Sequence, residues 1–526
     1  MKRRDFLKTS APALAIPFML GGMPIRALAR SPIGDSIAGI TADTDKVLVL
    51  IQLQGGNDGI NTIVPLDQYS LYSSLRPQVA LPESKVLKLT NATGMHPAMK
   101  ELQAMYVGGM MNIVQGVTYP NPNQSHFRST DIWMSGVDYN QYLNTGWMGR
   151  YLDVEYPNYP EGYPNATMPD PPAIQMGAVM SLALQGPQQS MGIAITDPTT
   201  FYNLVNGTSK GPFADPPDTR PGNELRFLRQ IEAESQLYAA SIKSAADKAP
   251  NKATYPTGNT LADQLKIVAR LIAGGLKTRV YMVTLGGFDT HSGQVDTADT
   301  TAGTHATLLG RLSSGVKAFY DDLALLGAQH RVLTMSFSEF GRRVQSNASA
   351  GTDHGTAAPM LVVGTKVNPV IIGKNPDLTT LDNGGNLLLQ HDFRQVYASV
   401  LTQWFGVTGA ELQTSMLKDF TQVPIIKQSS TSVEQLDYSS SGALAVQLAP
   451  NPVSAAARIG FELPEPADVS LRIRDLDGRI CRELLNARSE AGPQSVSFHR
   501  ESLPAGTYFV DLRAGRRHAV VKMVVE

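Results

Sequence analysis

Cysteine is almost absent from this chain of 526 residues, which contains Cys481 and no other. A single cysteine cannot form an intrachain disulfide, so the stability of the fold has to come from packing or from a bound metal. A zinc site built from several cysteine thiolates is excluded for the same reason.

An excess of charge of either sign is also missing. The chain has 45 lysine and arginine residues and 46 aspartate and glutamate residues, and it has no long run of charges of one sign. Nothing in the charge pattern therefore indicates a nucleic-acid partner or another polyanion. At this length, with 42% hydrophobic and 17% charged residues, we expect a globular protein with one large core and a second, smaller domain.

Apolar runs of transmembrane length are absent, so we expect a mature protein with no transmembrane segment. The N-terminus instead has a basic start, a weakly apolar stretch from Ala11 to Met23, and the small-residue pattern Ala27–Ala29. These features predict a cleavable export signal over residues 1–29, the alternative being a basic tail before a buried helix. The Arg3–Arg4 pair and the residues after it resemble a twin-arginine signal, which implies export by the twin-arginine translocase.

Short apolar runs alternate with helical patterns between residues 45 and 427, which is typical of an α/β domain with a mainly parallel sheet and helices on both faces. The runs of buried-strand length are 47–53, 112–117, 278–285, 331–337 and 359–364. A capping box at Thr260 to Asp263 predicts the start of a helix. The stretch from Tyr156 to Pro221 is rich in proline and glycine and lacks clear periodicity, so we expect a surface insertion there.

The composition changes after residue 427. Residues 428–445 are polar and rich in serine, as expected of a linker. Residues 446–526 alternate apolar and polar positions in short runs separated by turn residues. This pattern predicts a small C-terminal all-β sandwich.

Polar residues cluster at the ends of the predicted strands, where an open α/β sheet binds its ligands. They are Asn57 and Asp58, Asp289 and His291, Glu339 and Arg342, and, before the last strand, Asp353 and His354. An acid near a glycine is usually a turn residue, but its recurrence at four strand ends favours a common site.

Histidines and carboxylates at neighbouring strand ends are ligands for a divalent metal, which could be zinc, manganese, calcium or magnesium. We expect His354 to be a ligand and Asp353 to orient its imidazole. The alternative is that Asp353 is a turn residue and His354 a packed side chain.

A candidate nucleophile lies in the segment "PNQSHFRSTDIW". Ser125 follows a predicted strand and stands near the start of a helix, where backbone N–H groups favour negative charge. Ser125 could equally serve only as the N-cap of that helix.

Five ordered blocks resemble the DUF1501 family of twin-arginine-exported bacterial proteins over about residues 45–410. They are "VLVLIQLQGGNDGINTIVP", "PNQSHFRSTDIW", "GGFDTHSGQ", "SFSEFGRR" and "TDHGTAAPMLVVG". That family is itself similar to the alkaline phosphatase and sulfatase superfamily, whose members hold two metals above a parallel sheet. The resemblance implies an alkaline-phosphatase-like fold.

The resemblance also implies roles for single residues. Ser125 would be the nucleophile, Asp58 would bind one metal, and Asp289, His291 and His354 would form the other metal site. Glu339 falls where the superfamily has an Asp-His pair and would be a further ligand. Phe340 replaces the histidine of that pair, which puts the second metal site in doubt.

Two features around Ser125 limit the resemblance. Ser125 lacks the Cys/Ser-x-Pro-x-Arg context of sulfatases that generate formylglycine, so ordinary sulfatase chemistry is disfavoured. His126 could supply a further imidazole, but a histidine beside an aromatic residue in a helix is more often a core or capping residue.

The expected function is that of an exported metal-dependent hydrolase of phosphate or sulfate esters, acting on a small-molecule or glycan ester. The metal would lower the pKa of Ser125, and Arg128 or Arg342 would bind the oxygens of the transferred group. The alternative is a catalytically inactive surface module for binding or assembly on the same fold.

Residues 446–526 resemble the sorting domain of type IX secretion cargo. The resemblance depends on the Asn451-Pro452 start, the Asp477-Gly478 turn and the block from Leu503 to Tyr508. It implies recognition by the type IX secretion machinery and a location at the cell surface or outside the cell, with the periplasm as the alternative. From turn and strand chemistry alone, a sandwich that binds carbohydrate or packs on the main domain would fit equally.

Overall fold

The computed structural model describes residues 45–206, 219, 235–427, 446–475, 479–500, 503–515 and 517–525. The signal predicted over 1–29, the linker predicted over 428–445 and the Asp477-Gly478 turn lie outside these residues. The chain divides into two compact units, Met1–Gln428 and Ser429–Glu526.

The first unit combines strands and helices. Its strands are β1 (Val47–Gln54), β2 (Ile63–Pro65), β3 (Leu87–Lys88), β4 (Thr93–Met95), β5 (Met111–Thr118), β6 (Ala173–Met176), β7 (Gly192–Ile195), β8 (Val280–Gly286), β9 (Val332–Phe337), β10 (Ala358–Val363), β11 (Ile371–Ile372) and β12 (His391–Asp392). Its α-helices are α1 (Gly59–Thr62), α2 (Tyr69–Leu75), α3 (Lys100–Val107), α4 (His126–Ser135), α5 (Trp147–Glu155), α6 (Pro198–Asn206), α7 (Thr260–Ala273), α8 (Thr304–Leu325), α9 (Phe393–Ser399) and α10 (Gly409–Met416). Residues 235–248 are also helical.

The central sheet has the order β11-β5-β10-β9-β1-β8-β6-β7, with β12 beside β5. The pairs within β9-β1-β8-β6-β7 are parallel, whereas β10 is antiparallel to both of its neighbours. Strands β5, β9 and β10 are buried along their whole length, as expected of strands covered on both faces. The α/β class with a mainly parallel sheet, predicted from the sequence, is confirmed.

The loops that carry the candidate site residues lie at one edge of this sheet. The carboxyl ends of β1, β5, β8 and β9 meet there because these strands run in the same direction. Strand β10 runs the opposite way, so its first residue lies at the same edge and the loop before it joins the others. Because β10 is antiparallel, the loop that precedes it lies at the same edge as the loops that follow β1, β5, β8 and β9.

The structure differs from the sequence prediction in two places. The stretch from Tyr156 to Pro221, expected to be a surface insertion, contributes β6 and β7 to the edge of the central sheet. Each of these strands has four residues, which is too short to show a period. Helix α7 is capped by Asn259, whose side chain accepts hydrogen bonds from Leu261 and Ala262, and not by the predicted capping box at Thr260.

Aromatic stacking joins the helices around α4. Trp133 of α4 stacks on Phe393 of α9 with ring centroids 4.4 Å apart, and Trp147 of α5 stacks on Tyr397 of α9 at 4.0 Å. These large side chains are almost fully buried. Because α4 carries His126 in its first turn, this packing fixes the direction from which that histidine approaches the sheet edge.

The second unit is all β. Its strands are β13 (Val446–Ala449), β14 (Ala456–Leu463), β15 (Ala467–Arg474), β16 (Ile480–Ser489), β17 (Gly492–His499), β18 (Gly506–Ala514) and β19 (Arg517–Val525). They form a three-stranded sheet β13-β14-β17 and a four-stranded sheet β16-β15-β18-β19. All pairs are antiparallel, and alternate residues form a separate apolar core. The predicted all-β C-terminal region is confirmed.

Within the described part of the chain, the helices are all too short or too polar to span a bilayer.

Candidate metal centre

Four side chains converge at the carboxyl edge of the central sheet. The Nε2 atoms of His291 and His354 are 2.9 Å apart, and each lies 3.2 Å from Oδ1 of Asp289. On the other side of the carboxylate, Nε2 of His126 lies 3.4 Å from Oδ2 of Asp289. In a tetrahedral site with bonds of about 2.1 Å, neighbouring ligand atoms are roughly 3.4 Å apart. Ligand atoms of His126, Asp289 and His354 lie within 4.8 Å of one another, close enough to hold one metal ion, and His291 lies beside them.

Each imidazole is held by a hydrogen bond through its Nδ1 atom. Nδ1 of His354 donates to the carbonyl oxygen of Gln124 at 2.8 Å, and Nδ1 of His126 donates to Oε1 of Glu339 at 2.9 Å. Nδ1 of His291 donates to Oδ1 of Asp353 at 3.3 Å.

These acceptors set the tautomers. A carbonyl or an ionised carboxylate can only accept, so the proton of each neutral ring sits on Nδ1 and the Nε2 lone pair faces the cluster. With these tautomers, the Nε2 lone pairs of His291 and His354, 2.9 Å apart, repel each other unless a metal ion or a proton lies between them. Imidazoles and a carboxylate are suitable donors for a divalent metal ion, so these residues form a candidate metal site.

The carboxylate of Asp289 is ionised and fixed in place. Burial would raise its pKa, but Arg342, His354 and His126 outweigh this effect and hold the pKa at about 2. Nη2 of Arg342 donates to Oδ1 of Asp289 at 2.8 Å. Burial lowers the pKa of His354 despite the opposing effect of Asp289, which favours the neutral, ligating form of that ring.

The surroundings of Arg342 do not fit its predicted role of binding the oxygens of the transferred group. Its side chain is 1% exposed, and besides Asp289 it donates to the carbonyl oxygens of Gly56 at 2.7 Å and Thr352 at 3.0 Å. It cannot bind the oxygens of a substrate because its donors are already used inside the protein. Arg342 instead joins the loops after β1, β8 and β9 and holds Asp289.

Glu339 lies behind His126 and does not face the other ligands. Its side chain is 1% exposed, and Oε1 accepts from the backbone N–H of Gly55 at 2.9 Å as well as from His126. Gly55 has a φ of +124°, and a Cβ there would lie 2.3 Å from the backbone nitrogen of Asp289. Only glycine fits this position. The structure therefore places Glu339 as the residue that orients His126.

The variant Glu339→Gln should bind the metal about tenfold more weakly than the parent, because loss of the carboxylate charge makes the imidazole of His126 less basic and less firmly oriented. Titration of the metal-free protein with zinc measures this change. Glu83→Gln, an exposed glutamate in a short turn, serves as the matched control. An unchanged dissociation constant in Glu339→Gln would remove the positioning role.

Asp58 does not join the cluster. Its side chain is fully buried and forms an ion pair with the fully buried Arg76. Nε2 of Gln294 donates to Oδ2 of Asp58 at 2.5 Å, and the backbone N–H of Asn61 donates to Oδ1. Burial would raise the pKa of Asp58, but Arg76, His305 and Gln294 hold it below its usual value. The charge of this carboxylate is already compensated inside the protein.

Gln294 connects this buried ion pair to the candidate ligands. Its Oε1 accepts from the hydroxyl of Thr290 at 3.2 Å and from the hydroxyl of Thr352 at 2.6 Å. Thr290 lies between Asp289 and His291, and Thr352 lies two residues before His354. Asp58 and Arg76 therefore act on the cluster indirectly, by fixing both loops that carry its ligands.

Ser125 stands at the N-terminus of α4 with its hydroxyl unused as a cap. It occupies the N-cap position, yet its side chain makes no capping hydrogen bond, and the residue is exposed. Its neighbours on both sides contact the cluster, Gln124 through its carbonyl oxygen and His126 through its ring. The structure thus gives Ser125 the N-cap position without the side-chain capping bond, and its role as a nucleophile stays a prediction.

One further expectation changes, and the surroundings of Phe340 become clear. Asp353 orients His291 and not His354, because His354 uses its Nδ1 for the carbonyl of Gln124. Phe340 is 1% exposed and packs against the rings of His126 and His354, with centroids 4.9 and 4.6 Å away. It forms an apolar wall behind two of the candidate ligands.

His126 is the residue that the sequence reasoning set aside. As the first residue of α4, it reaches the cluster because α4 starts soon after the carboxyl end of β5. The signal in the sequence was its position after a strand end, the criterion that selected the other residues. Its neighbour Phe127 suggested a core helix face, but Phe127 is 87% exposed.

Comparisons with known proteins agree with the two resemblances found in the sequence. Residues 224–416 match the family described as "Protein of unknown function (DUF1501)", and residues 447–526 match the family described as "Secretion system C-terminal sorting domain". No match is found among curated proteins.

Solved structures of the alkaline phosphatase superfamily and of sulfatases are similar at low identity. A protein of that superfamily from Vibrio parahaemolyticus is 9% identical, with 85% of this chain and 78% of that chain covered and a TM-score of 0.35. A putative sulfatase from Bacteroides fragilis is 9% identical, with 88% and 90% covered and a TM-score of 0.32. A sulfatase from a Pseudoalteromonas species is 9% identical, with 90% and 88% covered and a TM-score of 0.31. Similarities this low do not assign roles to single residues.

Proposed function

We propose that this chain is an exported hydrolase of phosphate or sulfate esters with a single divalent metal bound by His126, Asp289, His291 and His354. The observation that carries the proposal is that His126, Asp289 and His354 offer ligand atoms within 4.8 Å of one another, with Nε2 of His291 3.2 Å from Oδ1 of Asp289. Three nitrogen ligands favour zinc over manganese, calcium and magnesium, which are better suited to oxygen ligands.

The proposed reaction uses Ser125 as the nucleophile. When bound, the metal would supply positive charge that lowers the pKa of a nearby hydroxyl and neutralises negative charge on the ester oxygens. Ser125 lies between two residues that contact the cluster, and its hydroxyl is free of a capping bond. The first backbone N–H groups of the ten-residue helix α4 point toward the same region and favour the developing negative charge. The ester would thus be placed between the metal and the helix N-terminus.

A second metal is not part of the proposal. The resemblance to the superfamily implies a metal on Asp58, but the guanidinium of Arg76 occupies that carboxylate. Phe340 provides an apolar ring where the superfamily has a histidine. With Asp58 paired to Arg76 and no histidine at position 340, the proposal includes one metal only.

Activity assays on an aryl phosphate and an aryl sulfate test the function directly. Protein purified without chelators should hydrolyse one of them, lose activity in the presence of a chelator, and regain it when zinc or manganese is added. If the protein binds metal but hydrolyses neither ester nor any other ester offered, the binding-module alternative is favoured.

The C-terminal unit indicates secretion and a location at the cell surface or outside the cell, and we propose export of the folded protein by the twin-arginine translocase followed by type IX secretion. Deleting residues 446–526 in the native host should leave the folded first unit in the periplasm, because the second unit is a separate compact body. Immunoblots of periplasm, surface and medium measure this. The full-length variant Cys481→Ser, at an exposed position of the second unit, should be sorted like the parent. Truncated protein at the surface or in the medium at parental levels would contradict the sorting role.

A further inference from the structure

A short segment, residues 120–125, lies between Tyr119, which directly follows β5, and the first residue of α4. It ends at the proposed nucleophile, Ser125. Pro120 and Pro122 restrict its backbone, and Asn121 between them has a φ of +54°. These restraints limit the shape of the segment, but they do not set where it lies relative to the metal centre. Residues 120–125 are called the nucleophile turn below.

Hydrogen bonds hold three consecutive residues of the nucleophile turn. The hydroxyl of Tyr119 accepts from the backbone N–H of Asn123 at 2.9 Å. Oδ1 of Asn123 accepts in turn from the backbone N–H of Ser125 at 2.8 Å. Between them, the carbonyl oxygen of Gln124 accepts from Nδ1 of the candidate ligand His354 at 2.8 Å. The position of Ser125 therefore depends on Tyr119 as well as on the metal centre.

A second buried hydroxyl joins Tyr119 to the loop that carries Glu339. Oγ of Ser129, in α4, donates to the carbonyl oxygen of Glu339 at 2.5 Å. Because this bond uses the only hydroxyl proton of Ser129, the hydroxyl of Tyr119, 3.0 Å away, donates to Oγ of Ser129. The Tyr119 oxygen keeps its lone pairs for the N–H of Asn123. Burial raises the pKa of Tyr119, so its hydroxyl stays protonated and able to donate.

This chain of bonds connects the nucleophile turn to a residue that also orients a candidate ligand. Glu339 anchors the chain through its carbonyl oxygen and holds His126 through its carboxylate. The side chains of Tyr119 and Ser129 are 1% and 0% exposed, so water does not compete for their bonds. A nucleophile has to lie about 3–3.5 Å from the atom that it attacks, and a displacement of about 1 Å can lower the rate about 100-fold.

We propose that Tyr119 and Ser129 are positioning residues that hold the nucleophile turn against the metal centre, a proposal that rests on the hydrolase function proposed above. In this role neither side chain touches the substrate, and both act through the turn that carries Ser125. Tyr119→Phe and Ser129→Ala are therefore expected to lower kcat for ester hydrolysis about 10- to 100-fold. KM should change by less than about threefold, and the metal content should stay parental.

The double variant tests whether the two hydroxyls act as one unit. Removing either Tyr119 Oη or Ser129 Oγ breaks the same chain between Glu339 and Asn123. The double variant should therefore lower kcat about as much as the more damaging single variant, because coupled residues do not have additive effects.

Tyr320→Phe is the matched control. Tyr320 is also buried, and its hydroxyl donates to the carbonyl oxygen of Val363 at 2.6 Å. Val363 is the last residue of β10, so this bond lies at the opposite edge of the sheet. Both tyrosine variants keep the aromatic ring and lose one buried hydroxyl, so both should be slightly less stable than the parent. Only Tyr119→Phe should lower kcat.

Hydrogen–deuterium exchange of the full-length chain tests the positioning without catalysis. Mass spectrometry with electron-transfer fragmentation resolves single amides, and the nucleophile turn has few of them because Pro120 and Pro122 have no N–H group. The amides of Asn123 and Ser125 should exchange at least about 10-fold faster in Tyr119→Phe than in the parent or in Tyr320→Phe.

Unchanged exchange of these two amides in Tyr119→Phe would overturn the proposal. Parental kcat in that variant, loss of its metal, or a double variant whose loss is the product of the two single losses would each do the same. If the parent hydrolyses no ester, the hydrolase function fails. The exchange result then decides by itself whether the two hydroxyls position the turn.

Discussion

Replacing His354 by alanine is expected to abolish tight metal binding, with a loss of affinity of at least about 100-fold. His354 lies at the centre of the cluster, because its Nε2 is 2.9 Å from Nε2 of His291 and 3.2 Å from Oδ1 of Asp289. Its removal leaves His126 and His291 without the ligand between them. Metal content by mass spectrometry after dialysis, followed by zinc titration, measures the effect.

The matched control for this variant is His330→Ala. His330 is an exposed histidine just before β9, at the opposite edge of the sheet, and its removal should leave the metal content unchanged. Circular dichroism should show that both variants are folded, since the His354 side chain is partly exposed and contributes little to the core. Parental metal affinity in folded His354→Ala would contradict the assignment of this ligand.

Replacing Ser125 by alanine is expected to lower kcat for ester hydrolysis by at least about 1000-fold while the metal stays bound. The hydroxyl is the proposed nucleophile, whereas none of the metal-facing atoms belongs to Ser125. Because the side chain is exposed and makes no capping bond, its loss should leave the stability of α4 nearly unchanged. Steady-state kinetics on the better of the two aryl esters, together with metal content, measures both parts.

Ser74→Ala, at an exposed serine of α2, is the control and should keep parental kcat. If Ser125→Ala keeps full activity, Ser125 is not the nucleophile, and the hydrolase would have to use water or another group. If Ser125→Ala loses metal as well as activity, the separate roles assigned to Ser125 and to the cluster are wrong.

The sequence predicted the central sheet well where the strands are long and apolar. The runs at 47–53 and 331–337 are buried strands in the structure as β1 and β9. It failed for β6 and β7, because four residues are too few to show a period. Strand β6 pairs with β8 and β7 pairs with β6, and this pairing depends on tertiary contacts that a local sequence pattern does not show.

The candidate site was partly predictable. Asp289, His291 and His354 lie together, as expected because residues at the carboxyl edge of a parallel sheet meet in space; their role as metal ligands stays a prediction. The roles of Glu339, Arg342 and Asp58 could not be read in this way, since each depends on a distant buried partner. Asp58 pairs with Arg76, eighteen residues away in the chain, and nothing local shows that this arginine turns inward.

The most direct test of the account is X-ray absorption spectroscopy, at the metal edge, of the protein purified without chelators. The account predicts about one divalent metal per chain, with three imidazole nitrogens and one carboxylate oxygen at about 2.0–2.2 Å. A variant at Asp58 is less informative, because removing one partner of a buried ion pair costs about 3–5 kcal/mol of stability. Folded protein with no bound metal, a spectrum without imidazole scattering, or two metals per chain would contradict the single centre at His126, Asp289, His291 and His354.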